Sequence, residues 1–362
     1  MKRINVTRCH LPERTRFDAY IDSIYESAWV TNNGPLVREL EQRLEEYLGV
    51  KNIVLVTNGT LALQIAYKLL GLTGEVITTP FTFIATASSI KWEGLNVVFA
   101  DIDPDTFNIS PANIEKAITE RTSAIVPVHV FGNPCDVEAI QDIADKNNLK
   151  VIYDAAHAFG VQYKDRSVLE WGDISTLSFH ATKLFHTIEG GALVINDDSL
   201  CERARKMINF GIMGQEKIGP LGINAKMNEI QAAMGLALLG EIDGLISRRK
   251  NVTAEYDKVF AGQCQVQQWM KNASKNHGYY PLLFENEQIA LKIKQALNEI
   301  NVYPRRYFYP SLDNIESITG KEFNMSVSQN ISRRILCLPL YPELEIKDVQ
   351  NIAMVVNKAA GV

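Results

Sequence analysis

Apolar residues in the first half of the chain form short continuous runs that alternate with stretches of helical periodicity. Short apolar runs bounded by turn residues are typical of strands that are buried on both faces. The runs predict strands over 53–56, 76–79, 97–100, 124–130, 151–153, 175–179 and 192–195. The periodic stretches predict helices over 36–48, 60–70, 84–92, 111–118 and 137–147. This alternation predicts an α/β fold with a mostly parallel central sheet sandwiched by helices.

The pattern changes after a long helix that is predicted over 227–246. A helix through Lys258, a strand over 279–284, a helix over 287–298 and a final helix near 349–356 follow. We therefore predict a large domain of residues 1–245 and a smaller C-terminal α+β domain of residues 246–362. Ligands of parallel sheets bind beyond the carboxyl ends of the strands, so polar residues at those ends are the candidates for a site.

Composition excludes several classes of protein. The chain has 362 residues, 46% of them hydrophobic, and a net charge of −5, which argues against a nucleic-acid partner. The five cysteines are dispersed, with no Cys-x-x-Cys spacing, as is usual for reduced thiols. No apolar stretch approaches the ~20 residues of a membrane span, and no signal peptide is evident at the N-terminus. These observations predict a cytoplasmic protein without a membrane partner.

A lysine and a carboxylate follow two of the predicted strands. Asp154 comes directly after the strand 151–153, and Lys183 follows the strand 175–179 in an apolar setting. A lysine amine can form a Schiff base with the aldehyde of pyridoxal phosphate, and a buried carboxylate can keep its pyridine nitrogen protonated. The competing interpretations are a helix-capping Asp and a surface lysine with a buried stem. If both residues serve one cofactor, the chain is an enzyme of amine chemistry.

Further segments are compatible with that cofactor, although each has an ordinary structural explanation. The turn at 57–60 offers glycine and a helix start to a phosphate, or is a simple capped turn. An aromatic residue in 80–86 could stack on a flat ring, His157 could donate to a ring oxygen, and Ser178 could bind phosphate. The histidines lack the spacing of a metal site, and no Gly-x-Ser-x-Gly hydrolase motif is present.

An ordered set of motifs resembles the DegT/DnrJ-type sugar aminotransferases, which have fold type I of the pyridoxal-phosphate enzymes, as in aspartate aminotransferase. The resemblance extends from about Asn32 to the C-terminus. The motifs are Asn58-Gly59-Thr60, Thr82-Phe83-x-Ala85-Thr86, Asp154-Ala155-Ala156-His157, Ser178-Phe179-His180-x-x-Lys183, Glu189-Gly190-Gly191 and Asn228-Glu229-Ile230-Gln231-Ala232-Ala233.

The resemblance implies a role for each matching residue in binding pyridoxal 5'-phosphate, which alternates with its pyridoxamine form during the cycle. Lys183 would bind the cofactor covalently, Asp154 would pair with the ring nitrogen, and His157 would lie near the phenolic oxygen. Phe83 would stack on the ring. The phosphate would be held by Gly59, Thr60 and Ser178. Asn224 of the partner subunit would also reach the phosphate, so the resemblance implies a homodimer with shared active sites.

The resemblance also implies a substrate. Segments 31–35, 222–227 and 305–310 look most like those of family members that transfer an amino group from L-glutamate to C4 of a dTDP-linked 4-keto-6-deoxyglucose, a precursor of O-antigen sugars. Ala225-Lys226 departs from the Tyr-Arg or Ser-Arg of many relatives. The candidates for contacts with the sugar or diphosphate are Asn33, Lys226, Arg305, Arg306 and Tyr309.

Four alternatives remain open from the sequence. Amination could occur at C3, or on a UDP-linked sugar. The chain could be a catalytically silent regulatory or binding protein on the same fold. A dehydratase is the fourth alternative, but that subgroup carries histidine in place of the lysine, and Lys183 argues against it.

Overall fold

The computed structural model describes residues 2–262, 264–319 and 324–361. The strands are β1 (Ile4–Asn5), β2 (Ile53–Val56), β3 (Glu75–Thr78), β4 (Asn96–Phe99), β5 (Thr122–Val126), β6 (Lys150–Asp154), β7 (Gln162–Tyr163), β8 (Arg166–Ser167), β9 (Ile174–Ser178), β10 (Gly191–Ile195), β11 (Ile212–Gly214), β12 (Lys217–Ile218), β13 (Pro281–Leu283), β14 (Val302–Tyr303) and β15 (Ile335–Cys337). The helices are α1 (Arg14–Ser27), α2 (Pro35–Leu48), α3 (Gly59–Leu69), α4 (Ile84–Trp92), α5 (Pro111–Ala117), α6 (Val137–Asn147), α7 (Asp198–Met207), α8 (Glu229–Leu239), α9 (Ile242–Phe260), α10 (Glu287–Glu299), α11 (Glu316–Thr319), α12 (Ser326–Arg334) and α13 (Ile346–Ala360).

A seven-stranded sheet forms the centre of the molecule, in the order β2-β10-β9-β6-β5-β3-β4. Strand β10 pairs antiparallel with β2 and β9, and the remaining pairs are parallel. Separate apolar clusters cover the sheet, one including Leu40, Tyr153 and Leu236 and the other including Tyr67 and Val97. The structure thus confirms the predicted α/β class with a mostly parallel sheet between helices.

Three predicted elements are wrong in extent, and one of them is the strand predicted over 279–284, which forms only over Pro281–Leu283. The helix predicted over 227–246 is two helices, α8 and α9, bent by 61°. Gly240 forms the C-cap of α8 and disfavours continuation of the helix. The strand predicted over 124–130 ends at Val126, because Pro127 follows and has no N–H to donate to the sheet.

The C-terminal part of the chain has an apolar cluster of its own, in which Tyr256, Leu282, Ile293 and Val356 are buried. Strand β13 pairs with β15, and β1 near the N-terminus pairs with β14. Helix α9 runs without a break through residue 246. A boundary at 245/246 therefore stays a prediction, and the N-terminal strand packs with the C-terminal part.

No single helix among the described residues has both the length and the apolar composition needed to cross a membrane; only α8 and α9 taken together, across their bend, meet that test. Most of α8 is buried within the protein.

Candidate active site

The candidate residues meet where the central strands end at their carboxyl edge. Asp154 is the last residue of β6, and Ser178 is the last residue of the neighbouring parallel strand β9. Helix α3 begins close to the end of β2, with Asn58 as its N-cap. A cavity of about 420 Å³ opens at this edge and is lined by residues from all three segments. Lys183 lies in the turn between β9 and β10 and also lines the cavity.

Asp154 is buried, and its carboxylate is held by two donors. Thr86 Oγ1 donates to Oδ2 at 2.8 Å, and the Ala156 backbone N–H donates to Oδ1 at 3.1 Å. Burial raises the pKa of Asp154, and the two donors and the nearby Lys183 oppose that rise. A positively charged ring nitrogen beside this carboxylate would further favour its ionised form.

The Lys183 amine is also withdrawn from solvent. Burial lowers its pKa from 10.5 to about 8, although the charge of Asp154 acts in the opposite direction. Its Nζ donates to the Tyr279 hydroxyl at 3.4 Å. An amine with a pKa this close to neutrality is substantially deprotonated in weakly alkaline solution, as a nucleophile or general base requires.

His157 is fixed as a neutral donor. Its Nδ1 accepts from the Phe131 backbone N–H at 3.2 Å, which leaves Nε2 to carry the ring proton. The imidazole stacks on Phe308 with an interplanar angle of 5° and lies 4.6 Å from the Tyr279 ring. Burial, followed by the charge of Lys183, lowers the pKa of His157 well below its ordinary value. The residue can therefore donate a hydrogen bond without carrying charge.

Gly59 and Thr60 form a cradle that is suited to a phosphate. They begin the 11-residue helix α3, whose first backbone N–H groups have no partner within the helix. A Cβ on Gly59 would lie 2.9 Å from the Ser178 Cβ, and a Cβ on Gly191 would lie 2.6 Å from the Asn58 carbonyl carbon. Because both glycines lack a side chain, these segments can approach closely and leave space at the helix start.

Two further predicted residues line the cavity closer to solvent. Phe83, which is 57% exposed, presents an aromatic ring to the space. Arg305 is exposed at the cavity wall, with its guanidinium 5.4 Å from the Tyr307 ring centroid. No carboxylate among the described residues forms an ion pair with Arg305, so its charge is available to an anionic ligand.

The remaining predicted residues do not line this cavity. Asn224 Oδ1 accepts from Lys226 Nζ at 2.8 Å, and the same Nζ lies 4.8 Å from the Phe210 ring centroid. The Asn33 carbonyl accepts from Arg38 Nη1 at 2.6 Å in the loop before α2. A role for Asn224 in a neighbouring subunit is compatible with its position outside the cavity of its own chain.

Arg306 and Tyr309 lie together, away from the cavity lining. Arg306 Nη2 donates to Glu287 at 2.6 Å and to the Arg333 carbonyl at 2.9 Å. Its guanidinium carbon lies 3.5 Å from the Tyr309 ring centroid. These contacts hold the Arg306 side chain within the C-terminal part, whereas the adjacent Arg305 faces the cavity.

Sequence reasoning missed several residues that line the site. Tyr279, Tyr307 and Phe308 come from the C-terminal part of the chain, and the sequence predicts Tyr279 only as the first residue of a strand. Thr86 lies within a recognised motif, but its contact with Asp154 was not foreseen. The only signals were a Tyr-Tyr doublet and an aromatic run after Arg305-Arg306, and neither indicates which ring faces the sheet.

Within residues 2–262, 264–319 and 324–361, no group of three or more His, Cys, Asp or Glu side chains is arranged to bind a metal ion.

Residues 12–357 match the family model of the DegT/DnrJ/EryC1/StrS aminotransferases. The chain is 43% identical over 364 aligned residues to the dTDP-4-amino-4,6-dideoxy-D-glucose transaminase of Shigella dysenteriae, with 99% of each chain covered. It is 41% identical to the enzyme of the same name from Escherichia coli, with 97% of each covered. Among solved structures it is similar to DesI in the presence of its TDP-sugar product, with a TM-score of 0.94 and 34% identity over 99% of this chain and 93% of that one.

Proposed function

The chain belongs to the DegT/DnrJ/EryC1/StrS aminotransferase family, and from this membership we propose that it transfers the amino group of L-glutamate to C4 of a nucleotide-linked 4-keto-6-deoxyhexose. The proposed acceptor is dTDP-4-dehydro-6-deoxy-D-glucose, and the proposed cofactor is pyridoxal 5'-phosphate. The observation that carries this function is the cavity shared by Lys183 and Asp154. The names of the two transaminase relatives support the choice of sugar and nucleotide.

The donor set of the cavity fits the proposed cofactor. The free N–H groups of Gly59 and Thr60, together with the Ser178 hydroxyl, suit its phosphate. Asp154 suits the ring nitrogen, and the neutral Nε2–H of His157 suits the phenolic oxygen. Phe83 offers a ring face, and Lys183 offers the amine for the aldehyde. When bound, the cofactor supplies an electron sink for the carbanion left when a Cα proton departs.

Lys183 moves the protons in this scheme. Lys183 would hold the cofactor through its Nζ, and the free Nζ would accept the Cα proton of glutamate, which suits a base with a pKa of about 8. In the second half of the reaction the same Nζ delivers a proton to C4 of the sugar. Asp154 supports both halves, because its carboxylate keeps the ring nitrogen protonated.

Arg305 is the proposed anchor for the nucleotide diphosphate. Its guanidinium is exposed at the cavity wall, where no carboxylate of the described residues pairs with it, and guanidinium groups bind phosphate oxygens in a bidentate manner. Arg306 is less suited, since its donors contact Glu287 and the Arg333 carbonyl. Contacts of Asn33, Lys226 and Tyr309 with the sugar stay predictions.

A homodimer is the proposed assembly. Large apolar side chains are exposed along residues 210–223, where Ile218 is 76% and Leu221 is 83% exposed. An exposed apolar cluster of this kind is typical of a protein interface. The cluster adjoins Asn224 in the sequence, which supports placing Asn224 at the interface, where the family resemblance has it reach the phosphate bound by the partner subunit. Sedimentation velocity should show a dimer that Leu221→Asp weakens, and a monomeric wild-type protein would contradict this assembly.

The alternatives receive less support. Amination at C3 or on a UDP-linked sugar is not favoured, because both of those transaminase relatives are named for a dTDP-linked 4-amino sugar. A silent regulatory protein would not need a buried carboxylate opposite an amine of lowered pKa. Lys183 also argues against a dehydratase.

The direct test is to incubate the protein with pyridoxal phosphate, L-glutamate and dTDP-4-dehydro-6-deoxy-D-glucose. The expected products are 2-oxoglutarate and a sugar with an amine at C4, assigned by NMR. Lys183→Ala should give neither product. An amine at C3, or the absence of 2-oxoglutarate with the wild-type protein, would refute the proposed function.

A further inference from the structure

Tyr279 is the residue that contacts the reactive amine. Its hydroxyl lies 3.4 Å from Lys183 Nζ, and within the described part of the chain this is the one side-chain hydrogen bond that the amine forms. The two residues are 96 positions apart and belong to different parts of the fold. The C-terminal part thus places a polar group in direct contact with Lys183, the proposed general base.

The backbone around Tyr279 is tied to the wall of the cavity. Asn276 is buried, and its Nδ2 donates to the carbonyls of His157 at 2.8 Å and Phe159 at 3.1 Å. Asn276 Oδ1 accepts from the Gly278 N–H at 3.1 Å. These bonds couple the segment before Tyr279 to the backbone of His157, so the hydroxyl is held in a fixed position relative to the cofactor-binding residues.

The Tyr279 ring is fixed as well. It lies 4.6 Å from the His157 ring and 5.4 Å from the Phe131 ring, and it meets Tyr307 edge-on. The adjacent Tyr280 is directed elsewhere, with its hydroxyl donating to Asp257 at 2.8 Å. Because the aromatic contacts fix the ring independently of its oxygen, removal of the hydroxyl should leave the packing in place.

We propose that the Tyr279 hydroxyl positions the Lys183 amine in the cavity, accepting a hydrogen bond from the ammonium form and donating one to the neutral form. A phenol can do both. Burial raises the pKa of Tyr279 above its ordinary range, so the hydroxyl stays protonated while Lys183 titrates. Tyr279 is therefore a positioning residue and not a base. This role rests on the proposed function, in which the amine is alternately bound to the cofactor and free to carry a proton.

The test measures the amine of Lys183 in the protein without cofactor. Reductive methylation over a series of pH values, with mass spectrometry of the Lys183 peptide, gives the midpoint at which the amine becomes reactive. Tyr279→Phe keeps the ring and removes the hydrogen bonds to both forms of the amine, and the ammonium form loses more because its charge-assisted bond is the stronger one. Its midpoint should therefore fall by about half to one pH unit. Tyr280→Phe, which removes a hydroxyl that contacts Asp257 instead, should keep the wild-type midpoint.

Turnover provides the second measurement. With its amine less well positioned, Tyr279→Phe should lower kcat about tenfold while leaving KM for both substrates near the wild-type values. A wild-type midpoint in Tyr279→Phe, or an equal change in Tyr280→Phe, would overturn the role of the hydroxyl. Methylation requires neither cofactor nor sugar, so that outcome is distinct from a failure of the wild-type protein to form 2-oxoglutarate, which would refute the proposed function.

Discussion

Replacing Lys183 by methionine should stabilise the protein without cofactor, because the wild-type chain holds an ammonium group in a poorly solvated cavity. Burial lowers the pKa of Lys183 from 10.5 to about 8, which corresponds to about 3 kcal/mol at about 1.4 kcal/mol per pH unit. This value already contains the attraction to Asp154, which opposes the effect of burial on the pKa of Lys183. We therefore expect a gain of about 3 kcal/mol, or about 4 °C in Tm for a chain of this length.

The gain should depend on pH in a defined direction. Below about pH 8, Lys183 is protonated in both the folded and the unfolded protein, so the variant has its full advantage. Between about pH 8 and 10.5 only the unfolded chain retains the proton, so the wild-type protein becomes relatively more stable as the pH rises. The difference in Tm should shrink through this range and disappear above it.

Thermal unfolding at matched protein concentration, followed by circular dichroism over a series of pH values, would measure this difference. Lys292→Met is a matched control, because Lys292 is exposed on α10, and its effect on Tm should be small. A Lys183→Met variant that is less stable than the wild type at neutral pH would refute the reasoning. A gain of equal size at neutral pH and above pH 10.5 would also refute it, because the charge would then not be its cause.

The other predictions concern the binding of cofactor and substrate. Gly59→Ala places a Cβ about 2.9 Å from the Ser178 Cβ and should weaken pyridoxal phosphate binding at least about tenfold; unchanged affinity in an absorbance titration would contradict the cradle. Thr86→Val removes a donor to Asp154, so the pKa of Asp154, already raised by burial, should rise further. The acid limb of kcat/KM should then move to higher pH, and an unmoved limb would show that Asp154 does not control it. Arg305→Ala should raise KM for the dTDP-linked sugar about tenfold or more without changing KM for glutamate; equal effects on both would exclude a specific diphosphate contact.

Predictions from the sequence were accurate where the pattern is local. Strand 53–56 and helix 84–92 are observed as predicted, because a continuous apolar run and a helical spacing each report the burial of a nearby stretch. The pattern failed at Gly240, since the apolar spacing continues across the bend between α8 and α9. Helix α8 is buried on nearly all sides and α9 along one face, and the hydrophobic pattern does not record a change of direction between them.

In the candidate site, too, the residues that were predicted follow a local pattern, and those that were missed depend on long-range contacts. Asp154 and Lys183 were predicted because each follows a recognisable strand, and parallel strands bring their carboxyl ends to one edge. Tyr279 and Arg305 were not distinguishable from their neighbours Tyr280 and Arg306. Which member of each pair faces the cavity depends on how the C-terminal part packs against the sheet, a long-range contact that no local pattern records.

The sequence by itself determined the parallel α/β sheet and the pairing of an amine with a carboxylate at its edge, because continuous apolar strands and motif spacing are local properties of the chain. Only the tertiary structure decided that the Lys183 amine lies against the Tyr279 hydroxyl, that Thr86 holds Asp154, and that Arg305 faces the cavity. Those contacts and the lowered pKa of Lys183 arise from desolvation and from side chains far apart in sequence, and both exist only after the chain has packed.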